Sequence, residues 1–255
     1  MQTILKLNMY QTAKKIVSKI VSKKFLFEQE ETLRSWYSIF YAGNKYECNI
    51  CGKNLRTFIS LSNNDSLCPN CGSLKRNRRL WFLLKAELLI LNMSILDFSP
   101  SRCLYRKFKK LKTINYKSTD LSGDFIADHH FDITKLEIAE NSLDLIICYH
   151  ILEHIENDIQ AIKELFRVMK PGARALIQTP FKDGETYEDY SIVSNKDRLK
   201  HFGQEDHVRI YSVSGLAQRL ESCGFQVRII EPSSIENKYD FDKNEFIILV
   251  TKPLN

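Results

Sequence analysis

Two Cys-x2-Cys pairs, Cys48/Cys51 and Cys68/Cys71, stand sixteen residues apart. That is the spacing of a four-thiolate metal site, in which each pair forms a tight knuckle with both sulfurs aimed at one ion. Gly52-Lys-Asn54 after the first pair and Pro69-Asn70 within the second are turn formers. Four thiolates close a tetrahedral shell, so the expected ion is a structural Zn2+ and not a catalytic one. A redox dithiol is the alternative, and a second pair at this spacing argues against it. Cys103, Cys148 and Cys223 are scattered. An odd total of seven with no secretion pattern excludes a disulfide framework.

A second constellation is acidic and imidazole-rich. Asp97, Asp120, Asp132 and His150 each follow or end a short apolar run: Ile95–Phe98, Thr113–Lys117, the Asp128–Thr134 segment and Leu143–Cys148. Short apolar strands alternating with helical segments predict a parallel sheet covered on both faces. In such a sheet ligands bind beyond the carboxyl ends of the strands, which is where these four side chains fall. A carboxylate at the Asp120 position can accept both hydroxyls of a ribose. Asp97 reads alternatively as a buried cap for the next helix, and Asp132 as a turn or helix-capping residue. His129 and His130 are expected to be packing or surface residues. Lys170-Pro-Gly172 is a turn before a further buried strand.

The elements around this centre follow from periodicity. Ile16, Val17, Ile20, Val21 and Phe25 recur at helical spacing among Lys14, Lys15, Lys19, Lys23 and Lys24, a basic amphipathic helix that can cap the protein or lie on an anionic membrane surface. A second helix is expected from Glu28 to Tyr41, stopped by Gly43, with Trp36, Tyr37, Phe40 and Tyr41 in the core. Leu74–Leu91 reads as one long helix whose first turns carry Lys75, Arg76, Arg78 and Arg79. Those cations oppose the helix dipole, so an acidic group must offset them: substrate, nucleic acid or the protein's own carboxylates. Residues 181–212 form a long excursion rich in polar groups, and Ser212–Ser222 reads as a helix. Phe225–Ile230 and Phe246–Thr251 are expected as an antiparallel edge pair.

The run Leu143-Asp-Leu-Ile-Ile-x-x-His-Ile-Leu-Glu-His-Ile155, with Glu164-Leu-x-Arg-Val-x-Lys-Pro-Gly172 after it, resembles the class I S-adenosylmethionine-dependent methyltransferases of the type 11 kind. Cys71–Trp81 is similar to a subset that places a zinc ribbon before the catalytic domain. The resemblance implies a doubly wound, mostly parallel seven-stranded sheet of the Rossmann-like methyltransferase fold, preceded by helices and a small zinc ribbon. It divides the chain into 1–45 (basic helical region), 46–91 (zinc ribbon and linking helix) and 92–255 (methyltransferase domain). The cofactor would contact Asp97, Phe98, Ser99, Pro100, Asp120, Leu121, Asp132, Ile133 and His150. Asp97 is then placed for its ammonium, Asp120 for its ribose and Asp132 for its adenine amino group. The family's glycine-rich first loop is replaced here by Ser99-Pro-Ser101.

On this resemblance His150 borders the sulfonium region, and neutral His150 or His154 can serve as base if the acceptor is a hydroxyl. His201, His207 and Arg209 are the acceptor-side candidates. His201, Asp206 and His207 match no metal-ligand spacing. The activity implied is methyl transfer to a small-molecule, glycan or lipid-linked acceptor. Two other readings stand beside it. One is an RNA methyltransferase whose zinc ribbon and Arg76, Arg78 and Arg79 grip phosphate; against it, the strand ends Cys-Tyr-His-Ile and not in an Asn-Pro-Pro-Tyr type of motif. The other is a non-catalytic zinc-containing module with a degenerate cofactor site.

Composition bounds these readings. Hydrophobic residues make up 44% and charged residues 27% of the 255-residue chain, the range of globular proteins. Residues 1–92 carry 15 Lys/Arg against 6 Asp/Glu, so the net charge of +6 is concentrated there. A basic N-terminal part suits an anionic partner or a solvated face. With neither a membrane span nor a cleavable leader pattern, a cytoplasmic protein is expected, its basic helix either packed on the protein or in peripheral contact with a membrane.

Overall fold

The computed structural model describes residues 23–232, 238–241 and 245–254. The helix read around Ile16–Val21 lies outside them. The chain divides into two compact units, Met1–Leu74 with Lys238–Asp240, and Lys75–Asn237 with Phe241–Asn255.

The first unit holds helix α1 (Lys23–Ser38) and four short strands, β1 (Ala42–Glu47), β2 (Asn54–Leu55), β3 (Ile59–Ser60) and β4 (Ser66–Leu67). They pair antiparallel as β1 with β2 and β3 with β4. Gly43 passes against the backbone of Arg56, where an added Cβ would lie 2.6 Å from Arg56 Cβ, so the first ribbon closes only with glycine at this position. Trp36, Tyr37 and Phe40 are exposed, contrary to the core role expected of them. The buried residues of this unit include Ser38, Cys48, Ile50, Leu55, Phe58, Ser66, Cys68 and Ser73. The aromatic ring that is buried in this unit is Phe58, packed against Tyr46 with ring centroids 5.7 Å apart.

The second unit opens with helix α2 (Lys75–Leu83), whose end widens into a single π turn, Leu84–Leu88. It continues through β5 (Ser94–Phe98), α3 (Arg102–Lys109), β6 (Asn115–Thr119), β7 (Leu143–Tyr149), α4 (Asp158–Val168) and β8 (Met169–Gln178). Then come β9 (Tyr187–Glu188), α5 (Asn195–Phe202), β10 (Arg209–Ile210), α6 (Val213–Ser222), β11 (Gln226–Ile230) and β12 (Ile247–Thr251). The central sheet has the order β11-β12-β8-β7-β5-β6; β8, β7, β5 and β6 run parallel, and β12 runs antiparallel to both of its neighbours.

This is the expected α/β architecture with one correction: among the described residues the sheet has six strands, not seven. The segment read as the third strand touches β6 only at the Thr119–His129 bridge. Beyond it side chains take the backbone donors: Ser118 Oγ accepts from Asp128 N–H and Thr119 Oγ1 from Phe131 N–H. Those bonds substitute for a ladder and stop it after one rung.

Alternation along the strands splits the core. Leu96, Phe98, Ile146, Cys148, Ala175 and Ile177 pack with Ala161, Leu165, Leu216 and Leu220 of α4 and α6. Ile95, Asp97, Leu145, Ile147 and Leu176 face the other way, towards α2 and α3. On that side Phe108 stacks on Tyr116 at 4.7 Å and meets Trp81 edge-on at 5.6 Å. Helix α6 begins where Ser212 Oγ accepts from the Gly215 N–H, and α4 where Asn157 Oδ1 accepts from Gln160 N–H. No helix among the described residues is long and apolar enough to cross a membrane.

Candidate active site and metal centre

The chain leaves β5 for β6 on one side and later returns to β7 on the other, so a crevice opens between the carboxyl ends of β5 and β7. Two non-glycine residues there sit in left-handed backbone conformation: Ser99 with φ 43° and His150 with φ 56°. Such geometry costs about 1–3 kcal/mol per residue and persists only where surroundings enforce it. For Ser99 the enforcing bonds are its N–H to Thr119 O (2.7 Å) and its hydroxyl to Asp120 Oδ1 (2.7 Å); for His150, its N–H to Gln178 O (2.8 Å).

Asp97 is buried in β5 and accepts from Tyr116 Oη at 2.9 Å. Desolvation pushes its carboxyl up to about 7, against the smaller opposing effect of that hydrogen bond. Phe98 and Pro100 are buried beside it. Asp120, at the end of β6, accepts from Ser99 Oγ, Ser122 Oγ (3.0 Å) and Phe125 N–H (3.2 Å). Burial raises this carboxyl, but those bonds and one from the Gly123 backbone outweigh it and hold the group below the usual aspartate range. It is held as an ionised acceptor. Leu121 next to it is exposed, whereas Ile133 is buried in the core. Asp132 is exposed; its Oδ1 accepts from Thr134 N–H (2.8 Å) and Oγ1 (2.7 Å), the turn role named for it as the alternative.

Beyond β7, a 3-10 turn over Leu152–His154 carries Glu153 into the interior and leaves His154 half-buried. His207 is buried against His154, with ring centroids 4.6 Å apart and nearly perpendicular planes. Arg209 is fully buried and committed: Nε donates to Glu188 (2.9 Å), and the other nitrogens donate to the carbonyls of Leu152, Ile155 and Glu156. It braces the turn after β7 from behind. His201 lies apart on α5, where its Nδ1 is 2.9 Å from Tyr187 Oη. Thus His150, Glu153, His154 and His207 come together, and His201 does not join them.

Sequence reasoning named Ser99 as a cofactor contact and Glu153 as orienting its loop, but not Ser99 as the donor to Asp120, and it passed over Tyr116 as the partner of Asp97. Only the Ser99-Pro turn in place of a glycine loop hinted at the Ser99 bond. Arg78 and Arg79, read as phosphate-gripping, are buried; Arg79 donates to the Glu231 carbonyl (2.9 Å) and lies 3.7 Å from the Glu245 carboxylate. The protein's own acceptors offset that cation.

In the first unit, Cys48 and Cys71 sulfurs are 3.6 Å apart and Cys51 and Cys68 sulfurs 3.8 Å. A tetrahedral ion with bonds of about 2.3 Å has sulfur–sulfur edges of about 3.8 Å. The two knuckles repeat one backbone pattern: Gly52 N–H to Cys48 O and Cys48 N–H to Lys53 O, then Gly72 N–H to Cys68 O and Cys68 N–H to Ser73 O. Gly52 and Gly72 hold φ values of 72° and 74°, so each knuckle uses glycine where the chain turns left-handed.

An open, mostly parallel sheet with an acidic crevice at its switch point is of the doubly wound α/β class, in which ligands bind at that crevice. More narrowly, residues 74–229 match the family model described as a methyltransferase domain, and the chain belongs to that family. A probable S-adenosylmethionine-dependent methyltransferase of Mycolicibacterium smegmatis is 27% identical over 99 residues, covering 38% of this chain and 34% of that protein. An uncharacterised protein of Methanocaldococcus jannaschii is 28% identical over 87 residues, covering 32% of this chain and 38% of that protein. The matches thus span little more than a third of these curated relatives. Among solved structures, selenomethionine-labelled Haemonchus contortus phosphoethanolamine N-methyltransferase 2 in complex with S-adenosyl-L-methionine superposes with a TM-score of 0.50 at 15% identity, covering 69% of this chain and 52% of that one. At that identity the likeness is one of fold.

Proposed function

We propose that the protein transfers a methyl group from S-adenosylmethionine to a small-molecule, glycan or lipid-linked acceptor, with residues 92–255 as the catalytic domain. The observation that carries this reading is the pair of enforced left-handed residues, Ser99 and His150, flanking the buried Asp97 at adjacent strand ends. S-adenosylmethionine supplies a methyl carbon already activated by its sulfonium, so alignment is the main task left to the protein. Asp120 would accept from the ribose hydroxyls, Asp97 would face the ammonium, and Asp132 would take the adenine amino group. His150 borders the reacting carbon. His150 would receive the proton where the acceptor is a hydroxyl. His207 and Arg209 act by fixing the turn after β7.

Cys48, Cys51, Cys68 and Cys71 hold a structural Zn2+ that closes the ribbon. An RNA acceptor gripped by Arg76, Arg78 and Arg79 is disfavoured because two of the three side chains, Arg78 and Arg79, are buried, while Arg76 is exposed.

Calorimetric titration of S-adenosylmethionine and S-adenosylhomocysteine into zinc-loaded protein, repeated with Asp120→Ala, tests the reading. Micromolar-range binding abolished by the substitution is expected. No heat from either ligand with folded protein would promote the non-catalytic module in its place.

A further inference from the structure

Glu153 is 1% exposed, and neither of its carboxylate oxygens has a hydrogen-bond partner. The nearest basic atom is His150 Nδ1, 3.4 Å from Oε1 but outside hydrogen-bonding geometry, and Nε2 of the same ring is also buried and unbonded. Among the described residues no lysine or arginine pairs with this carboxylate. Two buried carboxylate oxygens without a donor are unsatisfied acceptors, the kind of group that a metal ion can satisfy.

Two imidazoles are in place to share one. One ligand atom each from Glu153, His154 and His207 lies within 4.8 Å of the others. An ion bonded at about 2.1 Å needs edges of about 3.4 Å, within reach of small side-chain rotations. The outer contacts are those of ligating histidines. Asp206 Oδ2 is 3.1 Å from His154 Nδ1, and the His207 ring bonds to the Phe202 backbone. The chain also pins the two halves of the cluster together, because Val208 N–H donates to Glu153 O at 2.9 Å.

We infer that Glu153, His154 and His207 bind a divalent transition-metal ion. Imidazole nitrogens with one carboxylate suit zinc, cobalt, iron or manganese better than magnesium or calcium. Three protein ligands leave coordination positions open, unlike the closed four-thiolate site. Those positions suit an oxygen or nitrogen of the methyl acceptor; this last clause rests on the methyltransferase reading, and the metal site itself does not.

The probe is Co2+ titrated into full-length protein whose four cysteines are already loaded with zinc. One equivalent is expected to bind with visible d–d bands and without the near-ultraviolet charge transfer of a cobalt–thiolate bond. Glu153→Gln and His207→Asn should each weaken uptake about 10-fold or more, and wild-type protein alone should gain thermal stability from the metal. Either variant suffices if the other fails to fold. No uptake beyond the thiolate site, or uptake unchanged in a folded variant, overturns the assignment. Uptake without S-adenosylhomocysteine binding would remove the acceptor clause and the methyltransferase reading together, leaving the metal site. Binding of S-adenosylhomocysteine without uptake would do the reverse.

Discussion

The Ser99 hydroxyl donates to Asp120 Oδ1 across 2.7 Å and so fastens the carboxyl ends of β5 and β6 to each other. Two effects compete at Ser99. Glycine there would relieve a left-handed conformation costing about 1–2 kcal/mol, while losing a hydrogen bond to a charged group worth about 1.5–3 kcal/mol. The bond wins, so Ser99→Gly should be neutral to mildly destabilising, and Ser99→Ala, which keeps the strain and loses the bond, should be worse. Asp120 has a depressed folded pKa, so its contribution is present above the unfolded value and fades as pH falls through the folded one. Chemical denaturation between pH 3 and pH 7 should show the Ser99→Ala deficit shrinking on the acid side.

Asp97 has the opposite sign. Its folded pKa is raised to about 7 from 3.8 by burial, so its contribution is complete below about pH 4 and is lost as pH rises through 7. A shift of about three units corresponds to roughly 4 kcal/mol at most. Asp97→Asn should therefore be more stable than wild type above pH 7 and lose that advantage near pH 4 in urea titrations. A ligand ammonium beside Asp97 would favour the ionised form, so wild-type affinity for S-adenosylhomocysteine should climb from pH 6 to pH 8 and that of Asp97→Asn should not.

Much of this was legible in the chain itself. The apolar runs of β5, β7 and β8 and the Cys-x2-Cys spacing are local signals that tertiary packing has no reason to override. What escaped was relational. Nothing in the periodicity shows that Ser118 and Thr119 would take the backbone donors that a further strand needed, nor that Trp36 and Phe40 would lie exposed. Arg209 looked like a ligand-facing cation because sequence displays charge and hides the three carbonyls that consume it.

Asp158 joins the network that holds the turn after β7. It accepts from Tyr211 Oη (2.5 Å) and from Arg219 (2.5 Å), while Arg219 also reaches Glu188 (2.6 Å). Asp158→Ala takes the short-range acceptor from the buried Tyr211 hydroxyl and one of two carboxylates from Arg219, so a loss of about 1–3 kcal/mol is expected. The urea midpoint should fall with little change in m.

Cys51→Ser removes one of four thiolates and should cost the protein its zinc by mass spectrometry under native conditions. Because ion binding supplies folding energy to so small a ribbon, amides of residues 42–68 should lose hydrogen-exchange protection while those of β7 keep theirs. Retention of zinc and protection in the variant would remove the structural role from the ion.

The position of Cys148 in β7 has a kinetic consequence. Its thiol is 1% exposed, and burial first, then the charges of Glu153 and Asp97, push its pKa far above that of a solvated cysteine. Only the thiolate reacts with alkylating reagents. In the native state this residue is therefore silent, whereas half-buried Cys223 is accessible. The rate at which Cys148 is labelled thus reports how often the middle of the sheet opens to solvent, with Cys223 in the same chain as the internal reference.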